Sequence, residues 1–433
     1  MVVTDERRLE SATKGHAAKG RWVSRSRNQN LLIQAMGDTL TVRQEPPREG
    51  TVVRDTSGGV QREWAVPGWH DDWLQAVTPL EEYHWLGDIP AAGVSLKDKL
   101  DRVREVKEFL TGRDPRIAQV IVIYMERIEE RHITSDAFDR RSEVGRLQFG
   151  AVVVATDGTR TVEQFEADGR VGGFEIAHIA DERLDRMTEK AVRLLDAQAV
   201  EPGEHLIVAA PSVTGVLAHE AFGHGVEMDL FLSERALAAK KMGERVGSPF
   251  ATIVDDPRRK DGFGGYPFDD DGNLAEMHVI LDHGVLVGGL ADADVQAAIG
   301  ASPGNGRRQD YSRKVYPRMS NTFFEPGNAT PEELIAGVER GVYLPQFESG
   351  MEDPKSWGLQ LTVHHGEEIQ DGRLTGRLYR TMAMTGYVPD VLQSIDGASS
   401  ELNFSPGMCG KGWKEWATNG TGGPHLRFRA RLG

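Results

Sequence analysis

Hydrophobic and polar positions alternate in two textures along the chain, with a change near residue 200. Residues 95–112, SLKDKLDRVREVKEFLTG, carry Leu96, Leu100, Val103 and Leu110 on one helical face. Ser95 with Asp98 reads as a cap and Gly112 as a stop, so the segment predicts a helix. The run VIVIYMERIEERHIT at 120–134 predicts a strand. FGAVVVATDGTRTVEQFEADG at 149–169 predicts a hairpin turning at Asp157-Gly158. A second helix follows at 181–197, with Leu184, Met187, Ala191 and Leu194 on one stripe. Upstream, residues 1–90 are polar and poorly defined, interrupted by QEPPREG and DTSGG, with strands expected around 30–43 and 50–54. Helices alternating with β-hairpins predict an N-terminal α+β domain with an antiparallel sheet over residues 1–200.

The Pro-Gly-centred segment QAVEPGEH at 198–205 marks the boundary. From residue 201 to 433 the pattern is strand and turn, with LIVAAPS leading into one helix that carries LAHEAFGHGVEMD. Hairpins are signalled at Asp282-His283-Gly284 and at Asp371-Gly372, and Thr330-Pro331-Glu332-Glu333 opens a further helix. This C-terminal domain is expected to be β-rich, a curved sheet or barrel-like, with the motif helix against it. The whole is therefore α+β.

In that helix His219 and His224 stand five apart, with Glu220 directly after the first. A five-residue step turns an ideal helix by about 140°, which points the rings apart. A π-bulge, or a helix ending at Gly223, would bring them together, and Gly223 and Gly225 ease either route. The spacing thus predicts a distorted or terminating helix at 222–225. Zinc catalysis needs three protein ligands and one position left for water, with a neighbouring carboxylate as base. Glu220 suits that base role. For the third ligand the sequence offers Cys409 in the glycine-rich PGMCGKG, the His364-His365 pair, Glu227 and Asp229. Glu227 and Asp229 could equally orient the histidines through their free ring nitrogens. Arg318 and Asn321 are candidate cleft donors for peptide carbonyls or an oxyanion, whereas Arg307 and Arg308 read as a solvated basic loop.

Composition narrows the class. At 433 residues, with 39% hydrophobic and 27% charged positions, the chain is an ordinary globular protein of two or three domains. The formal charge of −15 disfavours direct nucleic-acid contact. No apolar run reaches the roughly 20 residues of a membrane span. The start shows no secretory pattern, and the lone Cys409 excludes an intrachain disulfide. Together these predict a cytoplasmic protein.

The block HEAFGHGVEMD resembles the signature of the TldD/PmbA family of metallopeptidases, in its TldD-type, metal-binding form. KMGERVGSPFATIVDDP (241–257), GNGRRQDYSRKVYPRMSNTFFEPG (304–327), TGYVPDVLQSI (385–395) and PGMCGKGW (406–413) follow that pattern in order. The likeness covers most of residues 95–433, while residues 1–90 depart from it. It implies that His219, His224 and Cys409 bind Zn2+ and that Glu220 is the catalytic base. It further implies a zinc-dependent peptidase that takes extended, unstructured peptides or modified-peptide precursors. The partner would be a second copy or a metal-free PmbA/TldE-type homologue. The alternative is a non-catalytic, metal-containing regulatory or binding subunit of such a complex. A structural zinc would normally have four protein ligands and no use for Glu220.

Overall fold

The computed structural model describes residues 8–9, 21–55, 62–71, 73, 78–412 and 415–433. Part of the DTSGG turn, part of the tryptophan-bearing stretch after it, and Trp413 lie outside the described residues.

Three long strands, Arg21–Met36, Ile117–Ser135 and Asp139–Thr156, form the centre of a nine-stranded sheet. The first pairs antiparallel with the second from Trp22 opposite Ser135 to Met36 opposite Ile121. The strand expected at 30–43 is interrupted: Gly37, at φ 54°, turns the chain into a separate strand Thr39–Gln44. The hairpin at Asp157-Gly158 is present, with Gly158 at φ 86°. Helix α1 (Leu96–Leu110) is capped by Ser95, whose side chain accepts from Asp98 N. It packs with helix α2 (Asp181–Leu194) on one sheet face, where Val103, Leu184 and Met187 meet Val122, Tyr124 and Phe149.

Side chains alternate across a strand, so Glu129, Arg131 and, on the neighbouring strand, Arg146 point away from those helices. That face is buried too, against loops of the C-terminal half. Arg146 donates to Phe263 O at 3.0 Å and Gly265 O at 2.7 Å, and Arg131 Nε lies 3.4 Å from Asp270. A second clamp joins strand Arg62–Pro67 to the loop at 308: Glu63 lies 2.8 Å from Arg54 and 3.3 Å from Arg308. Burial works against the Glu63 carboxylate, but Arg308 and Arg54 hold it down to about 2 from its ordinary 4.5. A carboxylate with a lowered folded value stabilises the fold above its unfolded value and loses that contribution as the pH falls through the folded one. We therefore expect Glu63 to contribute on the order of 3 kcal/mol at neutral pH, lost progressively between about pH 4.5 and 2. Thermal melts of the wild type and Glu63→Gln should differ at pH 7 and converge near pH 2; a constant difference would refute the clamp.

In the second half, strands Gly203–Ala209, Arg340–Asp353, Gly358–Gln370, Met382–Tyr387 and Leu426–Leu432 close into a five-stranded barrel. Gly203–Ala209 makes the closure, pairing parallel with Arg340–Asp353 and antiparallel with Leu426–Leu432. The hairpin signals hold here as well: His283 and Gly284 sit at φ 46° and 84°, and Asp371 and Gly372 at φ 48° and 74°. Beside the barrel lies a six-stranded sheet in which Asn321–Phe324 pairs with Glu415–Gly423, and Glu415–Gly423 with the outermost strand Asn403–Lys411.

Helix α3 (Pro211–Phe222) is wedged between the barrel and this sheet. Its residues are apolar on nearly every side, as a helix walled in on all faces requires. Gly215 lets it approach the sheet: a Cβ there would lie 2.6 Å from the Gly422 nitrogen. The expectation of an α+β fold with a barrel-like second half is met, and the motif helix runs through its middle.

Candidate metal centre

Of the two ways to reconcile His219 with His224, the chain uses termination. Helix α3 ends at Phe222, Gly223 N–H donates to His219 O at 3.0 Å, and a 3₁₀ turn takes over at His224–Val226. Gly223 has φ −89°, so handedness is not what demands glycine. Space is: a Cβ would stand 2.0 Å from Met319 Sδ and 2.1 Å from His219 O. The turn is pinned to the segment at 290, where Met228 N donates to Leu290 O and Leu290 N to Val226 O, both at 2.9 Å. It brings the two imidazoles to 5.0 Å between ring centres, with planes at 86°.

Cys409 arrives from the other side. It was expected on a glycine-rich loop and instead lies within strand Asn403–Lys411, opposite Ala417. Gly407, two residues before it, allows close strand packing, since a Cβ there would lie 2.4 Å from Asn419 Oδ1. The ligand atoms of His219, His224 and Cys409 all fall within 4.8 Å of one another. Among the described residues this is the one cluster of three such side chains. The donors are two imidazoles and a thiol, a set that suits zinc and other borderline metals. His219 Nδ1 is buried with no hydrogen-bond partner, an orphan that a metal ligand bond would satisfy. The residues present fit a divalent metal.

Glu220 sits beside the cluster against Gly350, where a Cβ would come within 2.9 Å of its Cγ. His219, Glu220, His224, Met351 and Cys409 line a cavity of about 400 Å³. The imidazoles are driven apart electrostatically. Burial, helped by His224, pushes His219 down to about 4. Burial acts on His224 too, but the bond to Glu227 and that carboxylate's charge lift it to about 9.

Around the cluster lies a buried ionic network. Glu227 Oε2 is 3.5 Å from His224 Nδ1 and 3.0 Å from Lys411 Nζ. Against burial, Lys411 foremost, then His224 and Arg318, hold Glu227 down to about 2. Asp229 does not reach the histidines; it pairs with Lys411 at 2.7 Å, and burial raises its pKa. The sequence missed Lys411, although it stands two residues after Cys409 in a block already singled out. It also missed Glu352, a cavity carboxyl without a hydrogen-bond partner that burial pushes up to about 8.

Four other expectations need correction. Arg318 does not face the cleft: it is 1% exposed and donates to Cys409 and to Glu415 O. Asn321 is buried as well. Its Oδ1 accepts from Gly264 N at 2.9 Å and its Nδ2 donates to Asp256 O at 3.0 Å. Arg307 and Arg308 are not solvated, because their loop folds beneath the first sheet; Arg307 donates to Met319 O and Thr418 O, both at 2.6 Å. The His364-His365 pair lies on the barrel strand Gly358–Gln370, Nδ1 to Nδ1 at 3.2 Å, packed against Phe165 and outside the cluster.

Family models match this chain over most of its length. The PmbA/TldA metallopeptidase C-terminal domain matches residues 202–431, and the central domain of the same family matches residues 89–198. The chain belongs to the PmbA/TldD family. A metalloprotease of Methanothermobacter thermautotrophicus is 37% identical over 64% of this chain, and the alignment spans 61% of that relative's length. A zinc metalloprotease TldD homolog of Saccharolobus solfataricus is 26% identical over 77% of this chain and 75% of its own. The solved structure of TldE from Thermococcus kodakarensis superposes with a TM-score of 0.76, covering 96% of both chains at 17% identity, which makes the fold the same. Among the described residues no helix is long and apolar enough to cross a membrane.

Proposed function

We propose that this chain is a cytoplasmic zinc-dependent peptidase that hydrolyses extended, unstructured peptides or modified-peptide precursors. The observation that carries the reading is the convergence of His219, His224 and Cys409 within 4.8 Å, with Glu220 beside them in one cavity. In this reading the three residues hold Zn2+, which supplies Lewis acidity toward a water molecule and the scissile carbonyl. Glu220 takes the proton from the water and returns it to the leaving amine. Glu227 orients His224 through its Nδ1.

Support for an extended substrate comes from the cavity walls. Strand Asn403–Lys411 is outermost in its sheet and contributes Pro406–Gly410 to the cavity. An outermost strand can take an extended peptide through main-chain hydrogen bonds along its unpaired edge. The shared fold with TldE favours a partner that is a second copy or a TldE-type homologue. Neither nucleic acid nor membrane enters this reading.

The test combines elemental analysis with peptide hydrolysis. About one zinc per chain is expected, with cleavage of flexible peptides that stops on chelation and returns with zinc. Bound zinc without hydrolysis of any flexible peptide would favour the non-catalytic subunit, and an absence of metal would end the metallopeptidase reading.

A further inference from the structure

Arg318 was a candidate cleft donor in the sequence; its surroundings give it a different task. One terminal nitrogen of its guanidinium lies 3.1 Å from Cys409 Sγ and 2.6 Å from Cys409 O. The other donates to Glu415 O at 3.1 Å, so the planar group spans the mouth of the hairpin that carries the thiol. Its Nε stands 3.7 Å from Glu227 Oε1, while the second oxygen of Glu227 meets His224 Nδ1 at 3.5 Å. One buried cation therefore donates a hydrogen bond to the sulfur and stands in ion-pair range, without a hydrogen bond, of the carboxylate beside an imidazole. Its own backbone is fixed, with N–H donating to Asn305 O at 2.9 Å and O accepting from Asn305 Nδ2 at 3.2 Å.

We propose that Arg318 is a positioning residue that orients the Cys409 sulfur, tempers its electron donation to a bound metal, and links it through Glu227 to His224. The inference rests on the metal-site reading above. A hydrogen bond to a thiolate draws density from the sulfur and restricts its rotamer, as partners behind ligating side chains do elsewhere. Lys411 cannot substitute, because it engages Glu227 and Asp229, and no hydrogen bond joins it to the sulfur. Only a planar fork with several donors reaches sulfur, two carbonyls and a carboxylate from one position.

A purely structural arginine would hold the hairpin through Cys409 O and Glu415 O and leave the sulfur's electronics unaltered. Cobalt(II) separates the two roles, since the thiolate-to-cobalt charge-transfer band reports on the sulfur itself. In the cobalt-loaded Arg318→Gln protein that band should move to lower energy. Zinc affinity, measured by chelator competition, should fall by about 10- to 100-fold. Arg318→Lys keeps a cation near Glu227 and should regain part of the affinity while the band stays shifted; it also serves if the Gln variant does not fold. The affinity losses of Arg318→Gln and Glu227→Gln should combine to less than their product in the double variant, because part of each runs through the Arg318–Glu227 ion pair. A band unchanged in both Arg318 variants, with only a lowered melting temperature, would overturn the proposal. Affinity losses that multiply independently would overturn the link through Glu227. A wild type that takes up no cobalt or zinc would overturn the metal-site reading along with it.

Discussion

Glu220→Gln is expected to lower kcat on flexible peptides by about 10²- to 10⁴-fold while leaving zinc content unchanged. The two halves of that result rest on different observations. Glu220 follows His219 on helix α3, about 100° further round, and it is not one of the three clustered ligand residues. Its removal therefore leaves the donor set complete. Glutamine has nearly the same shape and fits the space beside Gly350, but it cannot accept and return a proton. Elemental analysis and steady-state kinetics on one preparation check both halves. Zinc lost together with activity would make Glu220 a ligand, and undiminished kcat would remove it as the base.

Cys409→Ala should have the opposite signature, with metal and activity lost together. Two imidazoles remain, one short of the three protein ligands that a catalytic zinc site requires. The affinity loss should exceed the roughly 10- to 100-fold cost of removing an outer partner of a metal ligand. The fold should survive, because the thiol is small and sits in a hairpin held by main-chain pairing from Asn403–Gly423 to Lys411–Glu415. Metal content and chelator competition measure the loss. Full occupancy in this variant would return the third-ligand question to Glu227, the nearest remaining carboxylate to His224.

What the sequence made legible was local. Caps, Asp-Gly turns and helical periodicity placed α1, α2 and three hairpins, because each signal acts within a few residues. The histidine spacing predicted a distorted or terminating helix at 222–225, and the chain uses termination, since two rings on one ligand set cannot sit five apart on a regular helix. What stayed hidden was long-range. Barrel closure pairs residues 203–209 with 426–432, and no local pattern encodes that pairing. Arg318 and Asn321 lie in a polar, glycine-bearing stretch that looks exposed until the strands around it are in place. Arg318 finds Cys409 across 91 residues and Lys411 finds Asp229 across 182. Burial is what turned these candidate surface donors into internal supports. The glycines around Cys409 suggested a loop, yet the stretch is a strand, and Gly407 serves close packing against Asn419 on its neighbour.

The way the barrel closes also sets when the centre can exist. Helix α3 leaves the strand Gly203–Ala209, which waits for one neighbour at residues 340–353 and another at 426–432. The thiol lies on a strand that follows most of that interval. During synthesis, His219 and Glu220 emerge from the ribosome long before Cys409 and the closing strand. A nascent chain thus carries two of the three ligands, on an unwalled helix and the turn after it, and non-local pairings of this kind form late and slowly. The three ligand residues can therefore meet only after the strand that carries Cys409 and the barrel's last strand have been made.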